Sequence, residues 1–295
     1  MSMFKWDVVY DGKTPPPGAA VGPTQRLSWG RTAGLGAQHV VAMFGATFVF
    51  PLVMGLDPNL AIMFSGICTI LFLLINQNRV PSYLGTSASF VAGVAAIRAQ
   101  HGDSADVTGS IMVAGLVLLV IGILVHFSGA GLIHRILPPA VTGAVVMLIG
   151  FNLAPVVAAI YWPQDQWVAL ATATFMVVAA VLLPGFWSRI AVFLALIFGY
   201  VLSVIADKLF GQINSCGGAG CKPALHDRVS WDNVSAAHWI GFPSGKLADG
   251  VSVVHGPSFS LTFILLVLPG VIALIAENTG HVKAVAEMTG DDLDP

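Results

Sequence analysis

The sequence predicts an all-α polytopic membrane protein with eight transmembrane segments, the third of them broken, and three observations carry that prediction. Of its 295 residues 56% are hydrophobic and only 9% charged, against roughly 25% charged in a soluble domain, and the mean hydropathy is +0.83. Runs of about 20 residues almost free of charge, the length that spans a bilayer core as a helix, recur along the chain. One run is interrupted by Pro81, Gly85 and the hydroxyl-bearing Thr86, Ser87 and Ser89. The net charge of -2 is small and thinly spread, which argues against a nucleic-acid partner.

Residues 1–31 form a polar arm with Pro15, Pro16 and Pro17 and the cations Lys5, Lys13, Arg26 and Arg31. It lacks the short apolar core and small-residue cleavage site of a signal peptide, so it is expected to be cytoplasmic and largely irregular. The apolar runs follow at roughly 32–53, 59–76, 82–98, 108–128, 137–158, 167–184, 190–207 and 259–281. Eight crossings return both ends to one side. With the amino end inside, the short inner segments collect Arg79, Arg135, Arg189 and Lys283 besides the arm's own cations. That asymmetry is the one cytoplasmic loops show.

The polar stretch 208–258 is then an extracytoplasmic loop. Its Cys216 and Cys221, with four small residues between them, could close a disulfide in an oxidising compartment or stay reduced in a glycine-rich turn. His226, His238 and His255 lack the tight spacing of metal ligands and read as solvated. No metal site is expected, and Cys68 reads as packing.

Glu277 ends a charge-free run from Phe259 to Ala276. A carboxylate at membrane depth is costly and is seldom kept without a function. His281 lies four residues on, so the pair can share a helix face; a wet helix end at the interface is the plainer alternative. In the third run, non-helical backbone at membrane depth is tolerated only where it is buried in protein or lines a cavity. Such interrupted segments often mark transporter binding sites, although small residues also serve helix packing. Gln38 and His39 form a further polar spot inside the first run.

These residues carry a resemblance. Ala37-Gln38-His39 with the residues to Thr47, Val80 to Phe90, Leu137 to Pro155, and Ala276-Glu-Asn-Thr-Gly-His281 resemble, in that order, the nucleobase:cation symporter-2 family, also called nucleobase-ascorbate transporters. The run at 276–290 is most similar to bacterial uracil and pyrimidine permeases. The resemblance implies fourteen segments in two inverted halves of seven, with the third and tenth built as half helix and half short strand and the nucleobase held between the strands. It implies a core domain from 32–136 and 259–295 and a gate domain from 137–207.

By the same resemblance Glu277 hydrogen-bonds the base, the backbone around Ala88, flanked by Ser87 and Ser89, contacts it, and His39 and His281, with Gln38 beside His39, belong to the network tied to proton coupling. Some relatives carry an aromatic residue where this chain has Ala88, which leaves the backbone contact without a stacking partner. The implied function is import of uracil or a related pyrimidine by proton symport across the bacterial inner membrane, with no cofactor, no enzymatic activity and a homodimeric assembly. The chemistry agrees: uracil offers N-H donors beside carbonyl acceptors, which a carboxylate and backbone amides complement. A purine or xanthine permease is the alternative within the family, and a membrane channel or sensor the alternative outside it. The sequence stops at Pro295, just after the eighth run, so the second half, with its own substrate carboxylate, is expected to be missing and the 295 residues inactive alone.

Overall fold

The computed structural model describes residues 6–13, 15–16, 19–77, 80, 82–129, 131, 138–158, 162–184, 186–215, 223–232, 234 and 240–290. After a short parallel pair, β1 (Asp7–Val8) with β2 (Gln25–Arg26), come α1 (Trp29–Val53), α2 (Pro58–Ile75), a 3-10 turn (Ala88–Phe90), α3 (Val91–Ala99), α4 (Ser104–Ser128), α5 (Pro139–Val156), α6 (Gln166–Leu182), the short α7 (Phe186–Arg189) and α8 (Ala191–Phe210). An antiparallel hairpin, β3 (Ile213–Ser215) with β4 (Ala224–His226), precedes α9 (Leu261–Val267) and α10 (Pro269–Thr289).

Among the described residues, four stretches are long and apolar enough to cross a membrane: Pro58–Ile75, Ser104–Ser128, Ala191–Phe210 and Leu261–Lys283. Shorter apolar helices occupy Met43–Val53, Ala88–Ala99, Gly143–Pro155 and Gln166–Leu182. Each of the eight apolar runs thus carries a helix, and four of these meet the length of a span. The chain is a multi-pass membrane protein. The break in the third run spans residues 82–87, which are neither helix nor strand, where the resemblance implies a short strand. The last run also differs from one straight helix. Pro269 lacks an amide proton and cannot continue the ladder, so α9 ends at Val267 and α10 starts at Pro269.

Local chemistry explains the ends. Asp57 caps α2, its Oδ1 accepting from the Leu60 amide at 2.7 Å, with Pro58 at the first helical position. Asp103 and Asp106 form a reciprocal capping box that opens α4. Asp165 caps α6 by accepting from the amides of Trp167 and Val168.

The chain divides into two compact units. The first holds residues 1–37, 43–152 and 243–295. In its amino arm Trp6 meets Trp29 edge-on, with ring centroids 6.2 Å apart, and the Arg26 guanidinium lies 4.5 Å over the Trp29 ring. Within this unit α9 packs on α3 and α4, and α10 packs on the 3-10 turn and on α4. Val94, Ile97, Val107, Val267 and Ala276 are among its most enclosed apolar residues.

Two glycines allow that packing. A side-chain carbon at Gly93 would lie 2.9 Å from the Leu266 carbonyl oxygen, and one at Gly270 would lie 2.8 Å from the Ser89 carbonyl oxygen. The second unit holds residues 38–42 and 153–242. There α6 lies along α8, with Phe175 stacked on Phe198 at 4.3 Å. Arg228 closes their ends, its Nε 2.5 Å from Asp165 and its Nη1 3.0 Å from Asp207. Burial works against ionisation of Asp165, but the Arg228 guanidinium and the Val168 and Trp167 amides outweigh it, so that carboxyl stays below its ordinary range.

Candidate functional site

The site is built where the broken third run meets α10. Ser87 is extended, with φ -85° and ψ 136°, and its hydroxyl accepts from the Ser89 amide at 3.1 Å, which starts the 3-10 turn that leads into α3. The same hydroxyl donates to Glu277 Oε2 at 3.3 Å, and the Ser89 hydroxyl donates to that oxygen at 3.2 Å. Two serines from one end of the chain and a carboxylate 190 and 188 positions away are thus brought to one point. Glu277 is half-buried and follows the fully enclosed Ala276. Among the described residues its second oxygen, Oε1, accepts no hydrogen bond, which leaves an acceptor for a ligand N-H.

Beside this point lies a cavity of about 430 Å³, lined by Ala88, Ser89, Ala92 and Gly93 from the third run, Val145 and Leu148 from α5, and Gly270 and Ala273 from α10 among others. Apolar walls with a few convergent polar groups are the usual make-up of a small-molecule site. Ala88 adds its backbone to this wall and no bulk.

Among the described residues, no other expected residue hydrogen-bonds Glu277. His281 lies one turn beyond Glu277 on α10 and is exposed, and no hydrogen bond joins the two. His39 is exposed on α1, in the stretch that clusters with the second unit. The Gln38 side chain, Cys216, Cys221 and His238 lie outside the described residues. His226 is hydrogen-bonded within the hairpin, its Nε2 3.1 Å from the Ser215 hydroxyl. His255 is also held, its Nδ1 donating to the Ser252 carbonyl at 2.7 Å and its Nε2 lying 3.0 Å from the Thr108 hydroxyl. Both were expected to be simply solvated. No group of three or more metal-ligating side chains occurs among the described residues.

Sequence reasoning missed the frame that holds the two arms of the site together at the far end of α3. Arg98 donates to Asp249 Oδ2 at 2.7 Å, to the Ser104 hydroxyl at 2.7 Å, and to the carbonyls of Met54 and Gly55 at 3.3 Å. Asp249 also accepts from the Ser104 amide at 2.7 Å. Desolvation would raise the Asp249 carboxyl, but its bonds from Ser104, Arg98 and the Val251 amide prevail and hold it well below the usual carboxylate range. The signal was available as a lone arginine ending a membrane segment and an aspartate in the loop before the last one.

Comparison with known proteins identifies the family. A model of the Permease family, labelled for xanthine and uracil permeases, matches residues 30–295. A putative pyrimidine permease, RutG, of Escherichia coli K12 is 39% identical over all of this chain, which covers 63% of that protein. The uracil permease of Bacillus caldolyticus is 30% identical over 91% of this chain and 58% of its own length, and that of Escherichia coli K12 is 28% identical over 93% and 59%. The chain therefore spans about three-fifths of the length of these relatives, which are permeases and not enzymes. By the match over all but its first 29 residues, the chain belongs to the xanthine/uracil permease family.

Proposed function

We propose that this chain carries the substrate-binding wall of a proton-coupled importer of uracil or a related pyrimidine base. The observation that carries the reading is Glu277, a carboxylate in an apolar helix that meets the Ser87 and Ser89 hydroxyls of a non-helical membrane segment. Those two bonds orient the carboxylate. The acceptor left over suits a ring N-H, and the backbone near Ala88 suits a ring carbonyl. A site of this kind rejects analogues that leave its buried polar groups unpaired. The names of the relatives, uracil and pyrimidine permeases, favour a pyrimidine over xanthine.

The proton is the coupling ion in this reading. Protonation of Glu277, His39 or His281 drives transport if it changes the relative energies of the outward-open and inward-open states. The protein sits in the bacterial inner membrane with its amino end cytoplasmic, an orientation that the cations of the short loops support, and relatives of this fold make a homodimer the expected assembly. Eight membrane segments of a two-half inverted repeat, with 137–207 in the gate, complete the proposed architecture. The relatives are longer, and the chain spans about three-fifths of their length.

Isothermal titration of uracil against purified protein tests the site. Glu277→Gln replaces one acceptor oxygen with a donor and removes the charge, so uracil binding should be lost, and xanthine should not compete in the wild type. Unchanged uracil affinity in Glu277→Gln would move the site elsewhere.

A further inference from the structure

The apolar helix α2 presents two hydroxyls four residues apart, Ser65 and Thr69, to the non-helical residues 82–87. We propose that Ser65 and Thr69 are positioning residues that set the register of this segment and so aim Ser87 and Ser89 at Glu277. The inference rests on the substrate-site reading above.

The geometry centres on Leu84. Its amide donates to Thr69 Oγ1 at 3.0 Å, and its carbonyl accepts from the Ser65 hydroxyl, with Thr69 Oγ1 3.5 Å away. Both polar backbone groups of one residue are therefore satisfied by side chains of a neighbouring helix, as a paired strand would satisfy them in a sheet. At membrane depth a backbone outside helix or barrel needs such partners.

A second anchor lies one residue earlier. The Tyr83 hydroxyl is 3.0 Å from the Ser65 hydroxyl and 3.3 Å from Thr47 Oγ1. Thr47 is fully enclosed and is itself tied to the Met43 carbonyl at 3.0 Å. Gly85 lets the chain run this close to α1, since a side-chain carbon there would sit 3.2 Å from Thr47 Oγ1.

Anchors at 83 and 84 determine which way Ser87 points. In extended chain a slip of one residue turns every side chain to the opposite face, which would direct the Ser87 hydroxyl away from the carboxylate. Neither Ser65 nor Thr69 touches Glu277 or lines the 430 Å³ cavity, so their effect on a ligand passes through the segment.

The test measures radiolabelled uracil uptake and equilibrium binding by the intact gene product, scaled to the amount in the membrane. Thr69→Val keeps the shape and removes the bond to Leu84, so KM and Kd should rise about tenfold, the effect of one buried amide left unpaired. The maximal rate per molecule should stay within about twofold, as for a change that acts on binding, and Thr69→Ser should restore wild-type values. Wild-type affinity in Thr69→Val, with Glu277→Gln inactive, overturns the positioning role and leaves the site reading standing. Equal losses in the Val and Ser variants also overturn it, because the hydroxyl would not matter. Normal binding in Glu277→Gln overturns the site reading and this inference with it. If Thr69→Val does not reach the membrane, Ser65→Ala leaves the Leu84 amide bonded and should show a smaller rise in KM; a wild-type KM there overturns the proposal.

Discussion

Asp249→Asn should loosen the frame at the end of α3 without touching the candidate site. Oδ2 faces three donors: Arg98 Nη1 at 2.7 Å, the Ser104 amide at 2.7 Å and the Ser104 hydroxyl at 2.5 Å. Oδ1 faces the Val251 amide at 3.1 Å. An asparagine can keep the Val251 contact, but its amide group then meets donors where a carboxylate accepted. A bond to a charged group contributes about 1.5–3 kcal/mol, while a partly exposed ion pair adds only ~0–1, so the expected loss is roughly 2–4 kcal/mol. For a chain of this size that lowers Tm by roughly 3–6 °C.

Thermal unfolding of the purified protein in detergent, followed by intrinsic tryptophan fluorescence across a pH series, reads the effect. The Asp249 carboxyl is depressed in the folded protein, so its contribution is complete above the ordinary carboxylate value near pH 4 and is lost as pH falls further toward the folded value. The gap between wild type and Asp249→Asn should therefore be constant from pH 8 to about 5 and narrow below about 4. Equal Tm values at neutral pH, or a gap that widens on acidification, would refute the reasoning.

Two further outcomes follow from the packing and the histidines. Gly270→Val places carbon against the Ser89 carbonyl oxygen and the Phe90 ring, so it should weaken uracil binding at least about tenfold by displacing the serines, while Gly34→Ala, which meets nothing within 4 Å, should leave titrated affinity unchanged. Replacing His39 or His281 with Gln should impair uptake driven by a pH gradient more than counterflow exchange; equal loss in both assays would make them ligands or structural groups.

The sequence showed where helices would form because long apolar runs have few other stable forms in a bilayer. Glu277 stood out for the same reason, as the charge such a run does not tolerate idly. The break at 82–87 was legible from Gly85 and the clustered hydroxyls, but its strand pairing was not, and the segment takes its partners from α2 side chains instead. Ser65 and Thr69 carry no signal in the sequence because one hydroxyl per turn hardly alters hydropathy. The meeting of Ser87 and Ser89 with Glu277 is a long-range contact that no local pattern encodes. Gly93 and Gly270 were invisible as crossing points, since glycines are frequent in membrane helices for several reasons. Pro269 was a readable signal for the interruption between α9 and α10, but apolarity on both sides masked it. Arg98 and Asp249 lie 151 positions apart, so no local pattern pairs them.

The way Leu84 is held has a bearing on how acidity can act on this protein. Its partners are aliphatic hydroxyls, which neither gain nor lose a proton in the physiological range. The bonds that fix the serine-bearing segment therefore keep the same strength on the acidic and the alkaline side of the membrane. On the proton-coupled reading proposed above, this face of the site is insensitive to the gradient, and coupling falls to the titratable side chains, Glu277 and His281 on α10 and His39 on α1. Protonation would then alter the grip on the cargo while the surface it rests against stays fixed, like a vice with a single moving face.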